Sequence, residues 1–401
     1  MSAPSRRELL AGGGLVVFFA LTGPTFAEDD GQSKGLSGGG EGGGGPKKVR
    51  PDLPGSLASQ PRLDAWIRIT PEGHAVVFTG KAELGQGIKT ALMQLAIDEL
   101  DLPNKSVTLV TADTGRTPDE GVTAGSHSMQ DSGTAILNAA AKIRHLLAAA
   151  AARRWGVAPD TLFTKAGTVR AADGRSIGYG DLAAALDLQV EAQPGMPRLP
   201  SGSRRFIGHS VPRVDIPAKL TGGRAYVHDI ALPGMLHGRV VRGPSEGTRL
   251  VSPDLAGVAR LPGIQVVRDG NFVAILSARE WSVVQALRLL DRAAWQPAKS
   301  PLPVGDLAAA IQHMPAQVRP ILDRHDAPGL APVRRLSARY ARPYLMHGSI
   351  GPSCAVALFE NGAMTVWTHS QGVYPLRKAL AQLLAMPIER IRCIHTEGAG
   401  C

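Results

Sequence analysis

Apolar and polar residues alternate over 66–70 and 74–79, with Pro71-Glu72-Gly73 between them, the pattern of two strands joined by a tight turn. The period then changes. Ile88, Leu92, Leu95, Ala96 and Leu100 recur at helical spacing, and a strand follows over 107–111. Beyond the irregular stretch 112–119 and a loop at 123–133, Asp131 or Ser132 is expected to cap a helix with Ile136, Ala140, Ile143, Leu147 and Ala150 on one face. A second set opens after the proline- and glycine-containing stretch 195–203. It reads as strand-like segments at 225–227 and 235–241, a short helix to Leu261, strands at 264–267 and 272–276, and a helix over 280–292. A third set begins near Arg334 with strand-like 336–340, 354–359 and 363–368; Leu376, Leu380 and Leu383 then mark a helix, and 391–396 a last strand.

One pattern occurs twice. Val77-Phe78-Thr79, Gln86-Gly87, a helix, Leu102-Pro103 and strand 107–111 are echoed by Val366-Trp367-Thr368, Gln371-Gly372, a helix, Met386-Pro387 and strand 391–396. Two copies of a strand, Gln-Gly loop, helix and strand predict two related lobes facing one ligand. In the first copy Gly85 and Gly87 bracket Gln86, so the backbone can take positive φ and approach a bulky group. The helix after this loop offers unpaired N–H groups and a positive dipole end, where an oxo-anion or phosphate fits. In the loop at 123–133, Ser126, Ser128, Gln130 and Ser132 could donate to phosphate oxygens; turn and cap chemistry accounts equally well for any one of them.

Composition narrows the classes. A chain of 401 residues has room for two or three domains. The net charge of +10 comes from scattered pairs such as Arg153-Arg154 and Arg204-Arg205, without the aromatic interleaving that suits nucleic acid, so no nucleic-acid partner is expected. Three cysteines, Cys354, Cys393 and Cys401, are too few and too dispersed for a zinc site or an iron–sulfur cluster on this chain; no metal ligand set is read, and Cys354 and Cys393 are expected as core thiols. Arg6-Arg7 ahead of an apolar run, with small residues before a cleavage point after Ala27, resembles a twin-arginine export signal over 1–27. That predicts a periplasmic protein, with membrane association if the segment is retained. Residues 28–60, with glycines over 38–45, read as a linker.

The segments 80–87, 125–133, Lys219-Leu220-Thr221-Gly222 through Asp229-Ile230, 233–241, 347–354 and His369-Ser370-Gln371-Gly372 together resemble the molybdopterin-binding large subunit of the xanthine dehydrogenase and aldehyde oxidase family. Within the family, the residues resemble the branch of isoquinoline 1-oxidoreductase beta subunits and membrane-associated aldehyde dehydrogenases. The resemblance covers nearly all of 62–401. It implies an α+β fold with a molybdopterin-binding lobe at 61–200, an α/β hammerhead domain at 205–325 and the start of a second molybdopterin-binding lobe at 326–401. It further implies a molybdenum hydroxylase, which inserts water-derived oxygen into a C–H bond of an aldehyde or N-heteroaromatic. The cofactor implied is a molybdenum–molybdopterin cytosine dinucleotide. The implied partners are a small [2Fe-2S] subunit and a cytochrome or other electron acceptor. By position, Gly85, Gln86 and Gly87 with Ser126, Ser128 and Gln130 are expected to touch the cofactor, and Gln371-Gly372 to approach its molybdenum end.

The family's C-terminal portion, with its general-base glutamate, has no counterpart after Cys401, so no catalytic residue is assigned. The expectation is a truncated large subunit, or half of a split one with a companion chain. Two other functions stay open: a non-catalytic remnant or partner-binding module without cofactor, and a periplasmic binder of phosphorylated ligands, which leaves the central unit and the repeat unexplained.

Overall fold

The computed structural model describes residues 49–244, 247–251, 254–290, 295–296, 306–322, 334, 336–345, 348–349 and 351–398. The expected export signal, most of the linker, His347, Cys401 and the end of the glycine-rich tail lie outside them. The described residues form two compact units, a larger one of 49–241, 255–289 and 349–398 and a smaller one within 242–348.

In the larger unit β1 (Ile67–Ile69) and β2 (Ala75–Thr79) pair antiparallel, as their alternation and turn predict. A right-sized crossover helix, α1 (Ile88–Glu99), then returns the chain to β3 (Val107–Thr111), parallel to β2 from Ala75↔Val107 to Thr79↔Thr111. Helix α2 (Thr134–Trp155) covers α1. Between helices and sheet lie Trp66, Ile67, Leu92, Ile136, Ile143, Leu147 and Tyr179, all fully buried. Each large apolar side chain there contributes on the order of 1.5–3 kcal/mol. The polar tips are served as well: Trp66 Nε1 donates to the Gln60 carbonyl at 2.8 Å and Tyr179 Oη to the Leu100 carbonyl at 2.8 Å.

Two acids at the end of α1 oppose the helix dipole, and the donors they collect explain their presence. Asp98 accepts backbone N–H bonds from Arg205, Phe206 and Ile207, and Glu99 takes Arg144 at 3.0 Å and the Leu199 N–H. They fasten the segment leaving the lobe. Burial raises the Glu99 carboxyl above its usual range, against the pull of Arg144.

Next comes a three-stranded antiparallel sheet that the hydrophobic pattern left unread: β4 (Leu162–Lys165), β5 (Thr168–Ala171) and β6 (Ser176–Gly178), then the short helix α3 (Tyr179–Ala183). Its first turn is Ala166-Gly167 with φ of +50° and +77°, a hairpin turn whose two central residues are both left-handed. After α4 (Ile216–Leu220), β7 (His237–Val240) pairs with a later strand. That partner, β10 (Phe272–Ser277), lies centrally between β7 and β9 (Gln265–Asp269); the short helix α5 (Leu255–Ala259) precedes β9 and α6 (Glu280–Arg288) follows β10.

The last part repeats the first. β12 (Ala355–Glu360) and β13 (Ala363–Thr368) form the hairpin, α8 (Val373–Leu384) crosses over, and β14 (Ile391–His395) lies parallel to β13. The sequence repeat is thus a repeat of structure, with two 12-residue crossover helices. The two sheets meet where their parallel strands end. An antiparallel bridge joins Asp113 to Ile394, the His395 N–H donates to the Ala112 carbonyl and the Thr114 N–H to the Cys393 carbonyl. Arg392 clasps Asp113 with bonds of 2.9 and 2.6 Å.

Four readings are corrected. Neither Asp131 nor Ser132 caps α2, because a π-turn, Met129–Gly133, leads into it and both side chains are drawn into a buried polar cluster. Residues 225–227 are no strand: Asp229 accepts from the Ala225 and Tyr226 N–H groups and turns the chain into a 3-10 helix, Val227–Asp229. The helix expected over 280–292 ends at Arg288. In the smaller unit, β8 (Arg249–Leu250) pairs with β11 (Trp295–Gln296), and Asp306 caps α7 (Leu307–His313). There residues 336–340 have no regular structure, and Leu336 and Tyr340 stand exposed, with nothing among the described residues to pack a strand against.

Cys393 is buried and Cys354 half-buried, both as free thiols. Burial pushes them up to about 12 and about 11, so they are inert core groups, as expected.

Candidate functional site

Because β3 and β14 run past one another at their ends, the loops leaving β2, β3, β13 and β14 converge on one region. Thr123 joins three of them. Its N–H donates to the Gln371 carbonyl at 2.9 Å, its carbonyl accepts from Gln371 Nε2 at 3.0 Å, and its hydroxyl accepts the Ala82 N–H at 2.8 Å. The structure therefore brings the loops carrying Gly85–Gly87, Ser126–Gln130 and Gln371–Gly372 together. Gly372 packs tightly, since a Cβ there would come within 3.1 Å of Val122.

The first loop is occupied by its own chain. Glu83, fully buried, accepts the N–H groups of Gly85 and Gly87 at 2.9 Å each and that of Lys89 at 3.0 Å. These are the donors that the helix start was expected to offer to an anion, and a carboxylate from the loop itself takes them. Gly85 and Gly87, at φ +102° and +84°, let the backbone wrap around it. Gln86 folds back, its Oε1 accepting from the Leu84 N–H at 2.5 Å and its Nε2 donating to the Ala82 carbonyl at 2.9 Å. Glu83 is thus a structural carboxylate, and its position two residues ahead of Gly-x-Gly is the signal for it.

The second loop differs. The Ser126, Ser128 and Gln130 side chains make no hydrogen bond among the described residues, and Ser126 and Gln130 are exposed. Ser126 is held at φ +60°, a left-handed conformation uncommon outside glycine. Beneath them lies a buried polar cluster that the sequence did not disclose. Glu120 Oε2 accepts from the Thr79 hydroxyl at 2.9 Å, the Gly80 N–H at 2.7 Å and the Ser132 hydroxyl at 2.9 Å, while Oε1 accepts from the Ser56 hydroxyl at 2.7 Å. Lys81, 3% exposed, donates to the Glu120 carbonyl and to Asp131, each at 3.1 Å. A buried cation and anion thus anchor the base of an uncommitted polar loop.

A chain of ion pairs lines the other side. Arg213 grips Asp215 through two bonds of 3.0 and 2.7 Å and donates to the Gly85 carbonyl at 2.8 Å. Lys219 joins Asp215 at 2.6 Å and also pairs with Glu397, whose other oxygen takes Lys89 at 2.8 Å. Arg213, then Lys219, hold the Asp215 carboxyl well below the usual carboxylate range. Burial pulls the Lys219 ammonium down, but Asp215 and Glu397 together push it above its ordinary value. Near them is a cavity of about 140 Å³ whose wall includes Glu83, Gly85, Lys219, Tyr226, His395 and Glu397. His395 crosses between loops, Nε2 facing the Glu83 carbonyl at 2.8 Å and Nδ1 the Ser370 carbonyl at 3.1 Å. Burial lowers the imidazole below its usual value, against those two carbonyls.

The lowered values at Asp215 and His395 make the fold prefer the deprotonated form, so each group contributes in full above its unfolded value and loses that contribution as pH falls. The urea midpoint is therefore expected to drop in two stages, one beginning below about pH 6.5 and one below about pH 4. His395→Gln is expected to remove the first stage and Asp215→Asn to reduce the second, to which Asp52, Glu72 and Asp173, also held below their usual range, contribute. A midpoint flat from pH 7 to pH 5 in the unsubstituted protein would contradict the reading of His395.

The fold and the loop cluster define a two-lobed protein whose halves present their loops to one place. A molybdopterin cofactor-binding domain family matches residues 35–197, and a second molybdopterin cofactor-binding domain family matches 323–400. A nicotinate dehydrogenase subunit of Pseudomonas putida is 38% identical over 353 residues, covering 84% of this chain and 30% of that protein. The beta subunit of isoquinoline 1-oxidoreductase from Brevundimonas diminuta is 28% identical over 265 residues, 56% of this chain and 34% of the relative. Among solved structures, quinoline 2-oxidoreductase from Pseudomonas putida 86 aligns with a TM-score of 0.36 and 19% identity over 48% of this chain and 30% of that one. The chain belongs to the molybdopterin-binding large subunits of the xanthine dehydrogenase and aldehyde oxidase family. It spans about a third of the length of the curated relatives it matches.

Proposed function

We propose that this chain is the part of a molybdenum hydroxylase that holds the pterin end of the cofactor between its two lobes, in an enzyme hydroxylating N-heteroaromatic or aldehyde substrates. The observation that carries it is the uncommitted polar loop at 126–130, set on a buried Lys81–Glu120–Asp131 base and tied through Thr123 to the Gln371 loop. Ser126, Ser128 and Gln130 would hold the cofactor's polar edge, with donors and acceptors that nothing else in the described chain uses. Gln371-Gly372 would approach the same group. Gly85, Gln86 and Gly87 would meet it through packing and the outer faces of the loop, since their hydrogen-bonding groups are largely engaged with Glu83, Leu84 and Ala82.

The cofactor, when bound, supplies the redox and oxygen-transfer chemistry; the chain orients it and keeps the loops fixed around it. Its form is read as the cytosine dinucleotide. The similarity to a nicotinate dehydrogenase favours an N-heteroaromatic substrate such as a pyridine carboxylate. A small [2Fe-2S] subunit, a cytochrome-type acceptor, the remaining large-subunit portion on this or a companion chain, the hammerhead domain over 205–325 and twin-arginine export complete the reading.

The self-filled loop at Glu83 favours a second reading, a family member that binds no cofactor and serves as a partner-binding module. Molybdenum and pterin retained by the natively purified complex separate the two: both present supports the first, both absent the second.

A further inference from the structure

Glu397 is 7% exposed and leaves β14 at the point where the chain turns into Gly398. Each of its carboxylate oxygens is held by a lysine from a different segment, Lys89 from the first turn of α1 and Lys219 from α4. Its carbonyl accepts the Val227 N–H at 2.8 Å, and it pairs with Tyr226 as a parallel bridge. Through Lys219 the link extends to Asp215 and Arg213, and so to the Gly85 carbonyl. Three acids and three cations, Glu83, Asp215, Glu397, Lys89, Lys219 and Arg213, therefore balance one another, with Glu83, Lys219 and Glu397 on the cavity wall. The side chains of the acids are 0%, 1% and 8% exposed. The next residue has no slack: a Cβ on Gly398 would lie 2.6 Å from His369 Cβ.

Such a balanced cluster leaves no surplus charge to attract an ion, but it fixes geometry. Removing one buried partner leaves the others desolvated and unpaired, which forces the segments apart. The internal repeat supplies a comparison. Ala112 and Thr396 continue the two sheets in the same way, their N–H groups donating to the carbonyls of Thr79 and Thr368, so Asp113 and Glu397 occupy equivalent places. Asp113 pairs with Arg392, away from the cavity; Glu397 lines the cavity and pairs with Lys219 on its wall and with Lys89 behind it.

We propose that Glu397 is a positioning residue, which through Lys89 and Lys219 sets the spacing between the start of α1, the 213–220 segment and the 397–398 turn around the cofactor. The inference rests on the cofactor-holding function proposed above. The test compares Glu397→Gln with Asp113→Asn in the complete enzyme complex, reading bound pterin, molybdenum and thermal midpoint. Glu397→Gln is expected to lower bound pterin about tenfold, the size of effect seen when groups behind a metal's ligands are removed. Its far-UV circular dichroism should stay unchanged. Asp113→Asn is expected to lower the midpoint while keeping the pterin. If Glu397→Gln does not fold, Lys89→Met, which cuts one of the two tethers, is expected to reduce pterin content severalfold.

Pterin retained at the unsubstituted level in Glu397→Gln, or in Lys89→Met where that is the variant that folds, would overturn the inference alone. So would loss from Asp113→Asn in the same proportion. An unsubstituted complex without pterin would overturn the proposed function, and this inference with it.

Discussion

Glu83→Ala is expected to destabilise the protein by about 3 kcal/mol, because three backbone N–H groups lose their acceptor at once and an unsatisfied buried donor costs about 1–3 kcal/mol. The loss stays below the simple sum because Gly85 is exposed and water can reach its N–H. Glu83→Gln should cost less, about 1–2 kcal/mol. Its single amide oxygen can still accept from Gly85 and Gly87, where Oε1 now sits, but its NH₂ would face the Lys89 N–H donor. Chemical denaturation of the three proteins checks the order, with Ala worse than Gln. Equal stability of Glu83→Ala and the unsubstituted protein would mean that the loop does not depend on its internal anion.

The buried base of the second loop leads to the other large effect. Glu120→Ala removes the acceptor of two hydroxyls and one N–H at Oε2 and of Ser56 at Oε1, and the cost is expected to reach about 3–4 kcal/mol, with several donors stranded in a site water enters poorly. The consequence is local as well as global. Ser132 keeps only the Thr79 hydroxyl at 2.6 Å, and the π-helical turn Met129–Gly133 is then held from below by that bond and by Lys81 through Asp131. Hydrogen exchange should accelerate over 126–133 more than over the α1–β3 crossover. Uniform acceleration across the lobe would show that Glu120 supports the core in general and not this loop.

Much of the architecture was legible because it rests on periodicity. Alternation gave β1 and β2, helical spacing gave α1 and α8, and the recurrence of Gln-Gly between strand and helix gave the two-lobed plan. Side-chain partnerships across loops were not legible in the same way. For Glu83 the one local signal is its place two residues ahead of Gly85 and four ahead of Gly87, and the carboxylate finds its donors only once those glycines have turned the backbone. Glu120, Thr123, His395 and Glu397 act across sequence separations of 12 to 312 residues, most of them beyond the reach of any local pattern. The strand read at 225–227 fails for a local reason that could have been seen, an aspartate placed to cap the preceding N–H groups. The hairpins at β4 to β6 were also within reach, through Ala166-Gly167 and Asp173-Gly174.

The family resemblance and the bottom-up reading divide the site between them. Physical argument from sequence placed anion-holding loops at helix starts; of the two, the Gln86 loop is filled by Glu83, whereas the Ser126, Ser128 and Gln130 side chains are unengaged among the described residues. Gln371 contributes first as a fastener, binding Thr123 from both sides. The site is therefore best described as one polar loop held in place by two self-satisfied ones.

The most direct test of that account is molybdenum content by elemental mass spectrometry on the natively purified, complete complex, with the pterin released and its nucleotide identified. Near-stoichiometric molybdenum with a cytosine dinucleotide, lost when Ser126, Ser128 and Gln130 are all replaced by alanine in a protein that still folds, is the result expected. Full molybdenum and pterin in the triple variant would contradict the assignment of that loop, and their absence from the unsubstituted complex would contradict the account as a whole.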